Sequence, residues 1–263
     1  MGLNRDKLLN LAATGEEREV VARVVDLAAM VQKTRRPRVT DFYDPYRSRL
    51  VIRVVESLPG LAAGIDGGYP VAERSRVLIF PHGLSREETE TGLAFLEIKG
   101  NFRFVDVSHR DYLGALLGLG LQRDKLGDIL VTGDGARVIV AREVADHITG
   151  GLASVGRVGV TVREITRAEL DPPVPASKEI AVTVRSMRLD ALAAHGFGLS
   201  RSKMVREITA GKIYLNWRPC VDPAARVNPG DLISARGRGR VEVAETGGKT
   251  KKDRINVTLK RFK

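Results

Sequence analysis

The stretch "RLDALAAHGFGLSRSKMVREITAGKIYLNWRPC", residues 188–220, decides how the C-terminal third of this chain folds. Leu189 to His195 has the apolar spacing of a helix, which Gly196 and Gly198 end. Ser200 is a good N-cap for a second helix, with Leu199 and Met204 placed as a hydrophobic staple. Met204, Val205 and Ile208 supply its buried side, and Gly211 its C-terminal cap. "KIYLNW" (212–217) then alternates, which turns Ile213 and Leu215 inward and Lys212, Tyr214 and Asn216 outward. The second helix carries Arg201, Lys203 and Arg206 near its start, where the macrodipole favours anions. Cations gathered there make sense if a polyanion docks against them, since a helix N-terminus is itself an anion site.

The charge of the whole chain points the same way. The formal net charge of the 263 residues is +11. Residues 1–176 hold 24 Lys+Arg and 24 Asp+Glu, while residues 177–263 hold 19 and 8. All of the excess therefore lies behind the linker "LDPPVPASK". A basic domain attached to a neutral body is the electrostatic footprint of nucleic-acid binding. No run of 18 apolar residues predicts a membrane span, and the first residues lack the apolar core of an export signal. The single cysteine, Cys220, excludes an internal disulfide framework and suits a reducing cytoplasm.

Upstream, residues 3–33 read as two helices divided at Thr14-Gly15, followed by the basic connector "KTRRPR" (33–38). "DFYDPYRSRLVIRVVESL" continues a helix-like pattern up to Pro59-Gly60, and "AGIDGGYP" reads as a glycine-rich loop. From residue 76 strands dominate: "RVLIF" (76–80), "LAFLEIK" (93–99) and "FRFVDVS" (102–108). Counted from residue 102, the order is βαββαβ, that of a ferredoxin-like or RRM-like plait. Its strand "ARVIVA" has none of the aromatics with which RNA-recognition sheets stack bases, so RNA contact without base readout is expected there. Arg123 and Lys125 lie in the connection between the first plait helix and the next strand, positioned to touch RNA. The alternative is that Arg123 and Asp124 only fix the loop.

The pattern RLD-x-L…L-S-R-S…G-K-I-Y-L-N…V-x-P-G-D-x-I resembles the S4-like RNA-binding domain over about residues 178–245. That resemblance implies a basic groove formed by the second helix and the following strand. It carries RNA contact to Arg188, Ser200, Arg201, Ser202, Lys203, Arg206, Lys212, Tyr214 and Asn216. "GGYPVAERSRVLIFP" (67–81) and "DYLGALLGLGLQRDKLGDILV" (111–131) extend the likeness to the YlmH-type bacterial family, also labelled photosystem II S4 domain proteins in phototrophs. This resemblance implies binding to rRNA, and to peptidyl-tRNA, on the large ribosomal subunit during quality control of stalled complexes. A link to cell division is also attached to the family.

The expected fold is α+β in three parts: a mainly helical region (1–74), an RRM-like plait (75–170) and, after a linker (171–177), an S4-like domain (178–247). A basic segment (248–263) ends the chain. The rival reading is an RNA-modifying enzyme with an unrecognised N-terminal active site. "RLD" occurs only at 188–190, inside the binding domain, which does not suit a pseudouridine synthase. "PHGLS" (81–85) holds only a His-Gly dipeptide of the synthetase signatures, and "GALLGLG" (114–120) is not GxGxxG. His82, His109, His147 and His195 have no ligand spacing, and Cys220 has no base partner in the sequence. The expectation is a cytoplasmic, monomeric, non-enzymatic protein with no cofactor and no metal.

Overall fold

A computed structural model describes residues 5–85, 89–103, 105, 107–172, 177–250 and 252–262. The chain divides into two compact units, residues 1–173 and 174–263.

The first unit opens with α1 (Arg5–Leu9) and α2 (Gly15–Thr34). Thr14 caps α2 by accepting from the Glu17 amide at 3.2 Å, and Glu17 reaches back to the Ala13 amide at 2.6 Å. The first satisfies a donor that the helix itself leaves open, and the second ties the residue before the cap to the first turn. The next segment corrects the sequence reading: β1 (Arg38–Tyr43) is a strand, and only then does α3 (Pro45–Glu56) begin. Asp44 caps α3 and Pro45 occupies its first turn, where a missing N–H costs nothing. β2 (Leu61–Asp66) takes in the start of the expected glycine-rich loop. β3 (Ser75–Pro81), expected to open the plait, is instead the centre of a three-stranded sheet ordered β1-β3-β2. The N-terminal region is therefore a sheet backed by helices, with Val24, Ala28, Val31, Val51 and Val54 fully buried between them.

The plait follows as β4 (Leu93–Gly100), α4 (His109–Gly118), a 3-10 turn at Arg123–Lys125, and the hairpin of β5 (Leu126–Thr132) and β6 (Gly135–Ala141). It ends with α5 (Arg142–Gly151), the short β7 (Ser154–Val155) and β8 (Val158–Ile165). The βαββαβ order holds, but its first strand is β4. The described residues of "FRFVDVS" form no strand, and Phe104 and Asp106 lie outside the described residues. The sheet order β5-β6-β4-β8-β7 puts β4 and β6 in the middle. Alternation along these strands feeds two cores. Leu96, Ile98, Val138 and Val140 pack with Tyr112, Leu116 and Ile148 of the helices. Phe95, Ile139 and Leu130 turn to the other face, where Phe42 of β1, Tyr69 and Leu170 cover them. That second face, the one on which a plait would stack bases, is filled by the protein's own residues.

In the second unit, β9 (Ser177–Val184) leads to α6 (Leu189–Phe197) and α7 (Arg201–Thr209). Then come β10 (Ile213–Leu215), β11 (Arg218–Pro219), β12 (Leu232–Ala235), β13 (Gly239–Lys249) and β14 (Ile255–Phe262). The sheet runs β11-β10-β12-β13-β14-β9. Residues 248–263, expected as a basic tail, contribute β14, which pairs with β9 from Ile255↔Val184 to Phe262↔Ser177. Val257 and Leu259 on it join the core of α6 and α7. Most of the expected linker, residues 173–176, lies outside the described residues.

Candidate RNA-binding surface

The surface begins with a cap. Ser200 is extended and its hydroxyl accepts from the Lys203 amide at 3.3 Å. Met204 and Ile208, one turn apart, are completely buried. With these anchored, the helical period turns Arg201, Ser202, Lys203 and Arg206 to solvent.

Beneath them sits Asp190, in the first turn of α6, with a side chain only 3 % exposed. Its carboxylate accepts from Arg188 Nε (3.2 Å) and Nη2 (2.9 Å), and from Arg201 Nη2 at 3.1 and 3.0 Å. Burial pushes this carboxyl's pKa up, but the hydrogen bonds and positive charges of Arg188 and Arg201 outweigh it and hold the group below the usual carboxylate range. The same bonds raise the Arg188 guanidinium. One buried anion thus sets two arginines side by side, and the trio keeps one net positive charge. Arg201 remains 59 % exposed and able to donate outward. Beside it, a cavity of about 330 Å³ is lined by Arg185, His195, Arg201 and Arg254, with no acidic residue among its lining. Arg254 is held there by donating to the Thr183 carbonyl.

The remaining expected contacts divide. Lys212 is exposed and lies 3.3 Å from Glu207, and Tyr214 is half-buried on β10 between Pro219 and Ser234. Asn216 is not in a strand. It and Trp217 both have left-handed backbones (φ 51° and 71°) and make the two-residue turn from β10 to β11. The Asn216 amide donates to Asp231 at 2.8 Å and accepts from the Leu232 amide at 2.9 Å. Asp231 in turn accepts from the Asn228 amide, so Asn216 ties its own turn to the Asn228–Asp231 turn.

Arg123 and Lys125 belong to the first unit and face inward. Arg123 donates to the carbonyls of Leu126 and Gly127, and its own carbonyl accepts from Arg74. Burial, with the charge of Arg74 nearby, pushes its guanidinium pKa down to about 10. Lys125 is bound by Asp41 at 2.6 Å and Glu143 at 3.3 Å. These two side chains fix the junction between β1 and the plait.

Sequence reasoning missed Arg185, His195, Arg254 and Trp217. Arg185 and Arg254 flank the β9–β14 pair Val184↔Ile255, and His195 reaches the same cavity from α6, an arrangement no local pattern announces. Trp217 had a signal, the Asn before it, since Asn is favoured in two-residue hairpin turns.

Among the described residues no group of three or more His, Cys, Asp or Glu side chains could hold a metal ion, and no helix is long and apolar enough to cross a membrane.

Three family profiles match the chain in order: "YlmH, N-terminal" over residues 16–84, "Putative RNA-binding domain in YlmH" over 86–169, and "S4 domain" over 187–233. The boundary between the first two falls after β3, where the sheets also divide. Among curated proteins, the chain is 34 % identical over 248 residues to the ribosome-associated protein quality control protein P2 of Bacillus subtilis, covering 94 % of this chain and 96 % of that one. Among solved structures, the cell division protein YlmH from Streptococcus pneumoniae superposes with a TM-score of 0.53 at 24 % identity, over 62 % of this chain and 98 % of that one. At that identity the likeness is one of fold. The chain therefore belongs to the YlmH family and carries its RNA-binding and S4 domains.

Proposed function

We propose that this protein is a non-enzymatic, cytoplasmic, monomeric factor that binds rRNA on the large ribosomal subunit and acts in quality control of stalled complexes carrying peptidyl-tRNA. The observation that carries the reading is the capped start of α7. There Arg201, Ser202, Lys203 and Arg206 are exposed together, in the unit that holds the chain's whole excess of positive charge. Arginine grips phosphate with two parallel donors, and free helix N–H groups add more. The name of the Bacillus subtilis relative supports the ribosomal setting.

RNA contact is assigned to Arg188, Ser200, Arg201, Ser202, Lys203, Arg206, Lys212 and Tyr214. The inward bonds of Arg123 and Lys125 and the turn bonds of Asn216 favour structural roles for those three. The first unit then serves as a neutral body whose plait sheet is already covered, and binding by it alone is weak.

Co-sedimentation with separated ribosomal subunits across a salt series tests the proposal. With about five phosphates neutralised, the slope of log affinity against log salt is roughly −3 to −5. A slope near zero, or migration with small subunits only, refutes it.

A further inference from the structure

Trp217 is the only tryptophan in the chain, and its position is unusual. Leu215 pairs with Arg218, so Asn216 and Trp217 alone make the hairpin turn. Both central residues are left-handed, a turn that favours Asn first and glycine second. Asn216 suits its place. Trp217, at φ 71°, does not, because a bulky side chain in this region is strained. Strain of this kind persists where the surroundings over-determine it, and it concentrates at binding sites.

The ring's surroundings say what it serves. Tyr214, Ser234 and Arg240 are cross-strand neighbours, so they share the sheet face opposite the one that buries Ile213, Ile233 and Val241. The Arg240 guanidinium lies 5.8 Å from the centre of the Trp217 ring. The ring is half-buried rather than part of the core. Arg236 and Arg238, in the β12–β13 turn, are exposed. An indole backed by a guanidinium, on the outer face of a basic unit, is a stacking platform for a base.

The geometry points to Trp217 as a stacking site for an unpaired RNA base, on the sheet face opposite the one that packs against α6 and α7; this rests on the RNA-binding reading above. The expected ligand is a single-stranded or looped segment, since paired bases hide their faces.

Being unique, Trp217 reports on itself. In the full-length protein, a single-stranded oligoadenylate should quench tryptophan emission saturably, and a fully paired RNA duplex of equal length should not. Anisotropy of a labelled large-subunit rRNA fragment gives affinity independently. Trp217→Gly should weaken that affinity about 5- to 150-fold, the loss of one base–aromatic stack, and Trp217→Phe should recover part of it. The Tm of Trp217→Gly should be unchanged or higher, because release of the left-handed strain offsets the missing packing against Arg240; a purely structural tryptophan would lower it. Wild-type RNA affinity in a folded Trp217→Gly variant overturns the stacking site and leaves RNA binding intact. Loss of ribosome binding with rRNA affinity unchanged also overturns it, in favour of a protein contact. If the wild-type protein binds neither probe, the stacking site and the RNA-binding reading fall together.

Discussion

Arg201 and Arg206 lie five residues apart on one short helix, yet their replacement by alanine should have different consequences. No ion pair among the described residues holds Arg206, whereas Arg201 shares the buried carboxylate of Asp190 with Arg188. Arg206→Ala should therefore leave stability within about 0.5 kcal/mol, the usual range for an exposed substitution. Arg201→Ala leaves Asp190 with Arg188 alone, and because both arginines are partly solvated the expected loss is about 1 kcal/mol. Binding should respond more strongly. A charge-assisted contact to phosphate is worth about 1.5–3 kcal/mol. Taking the lower end for exposed side chains, each change weakens binding about 12-fold and the pair about 150-fold. The salt slope should flatten by about 0.7–0.9 for every phosphate that is no longer neutralised. The assay is anisotropy of a labelled large-subunit rRNA fragment over a salt series, paired with Tm for each variant. An Arg206→Ala variant that folds with a wild-type Tm and keeps both the affinity and the slope of the parent would refute this assignment.

Two further predictions concern groups that stabilise each unit internally. The Asp190 carboxyl is held below its unfolded pKa, so the stability it contributes is present above about pH 4 and is lost as pH falls through its lower folded value. The Tm gap between wild type and Asp190→Asn should therefore be constant near neutrality and shrink at more acid pH; a gap that widens there would contradict the assignment. Arg123→Ala removes the donor to two carbonyls at the junction of the plait, and should destabilise the first unit by about 1–3 kcal/mol while rRNA affinity stays at the wild-type level. Chemical denaturation alongside anisotropy separates that outcome from a direct RNA contact, which would reverse the pattern.

What could be read from the residues alone was whatever is local or cumulative. Net charge is a sum over positions, so its confinement to the last third was visible at once. Helices α6 and α7 announced themselves because apolar period, the Ser200 cap and the glycines act within a few residues. The likeness to S4 and YlmH proteins rested on such short spacings too. Tertiary structure decided where segments far apart in the chain meet. Arg123 and Lys125 look like any basic pair in a loop until Arg74, Asp41 and Glu143 arrive from elsewhere to engage them. The plait's second face was closed by Phe42 and Tyr69, which precede it in the chain. A basic C-terminal segment became β14 because β9, on the far side of both helices, offered an unpaired edge. A buried Asp190 ordering two arginines, and a tryptophan forced into a left-handed turn beside Arg240, likewise depend on backbone pairing and burial. Such pairings form between residues distant in sequence, and the period of a single segment carries no record of its partner.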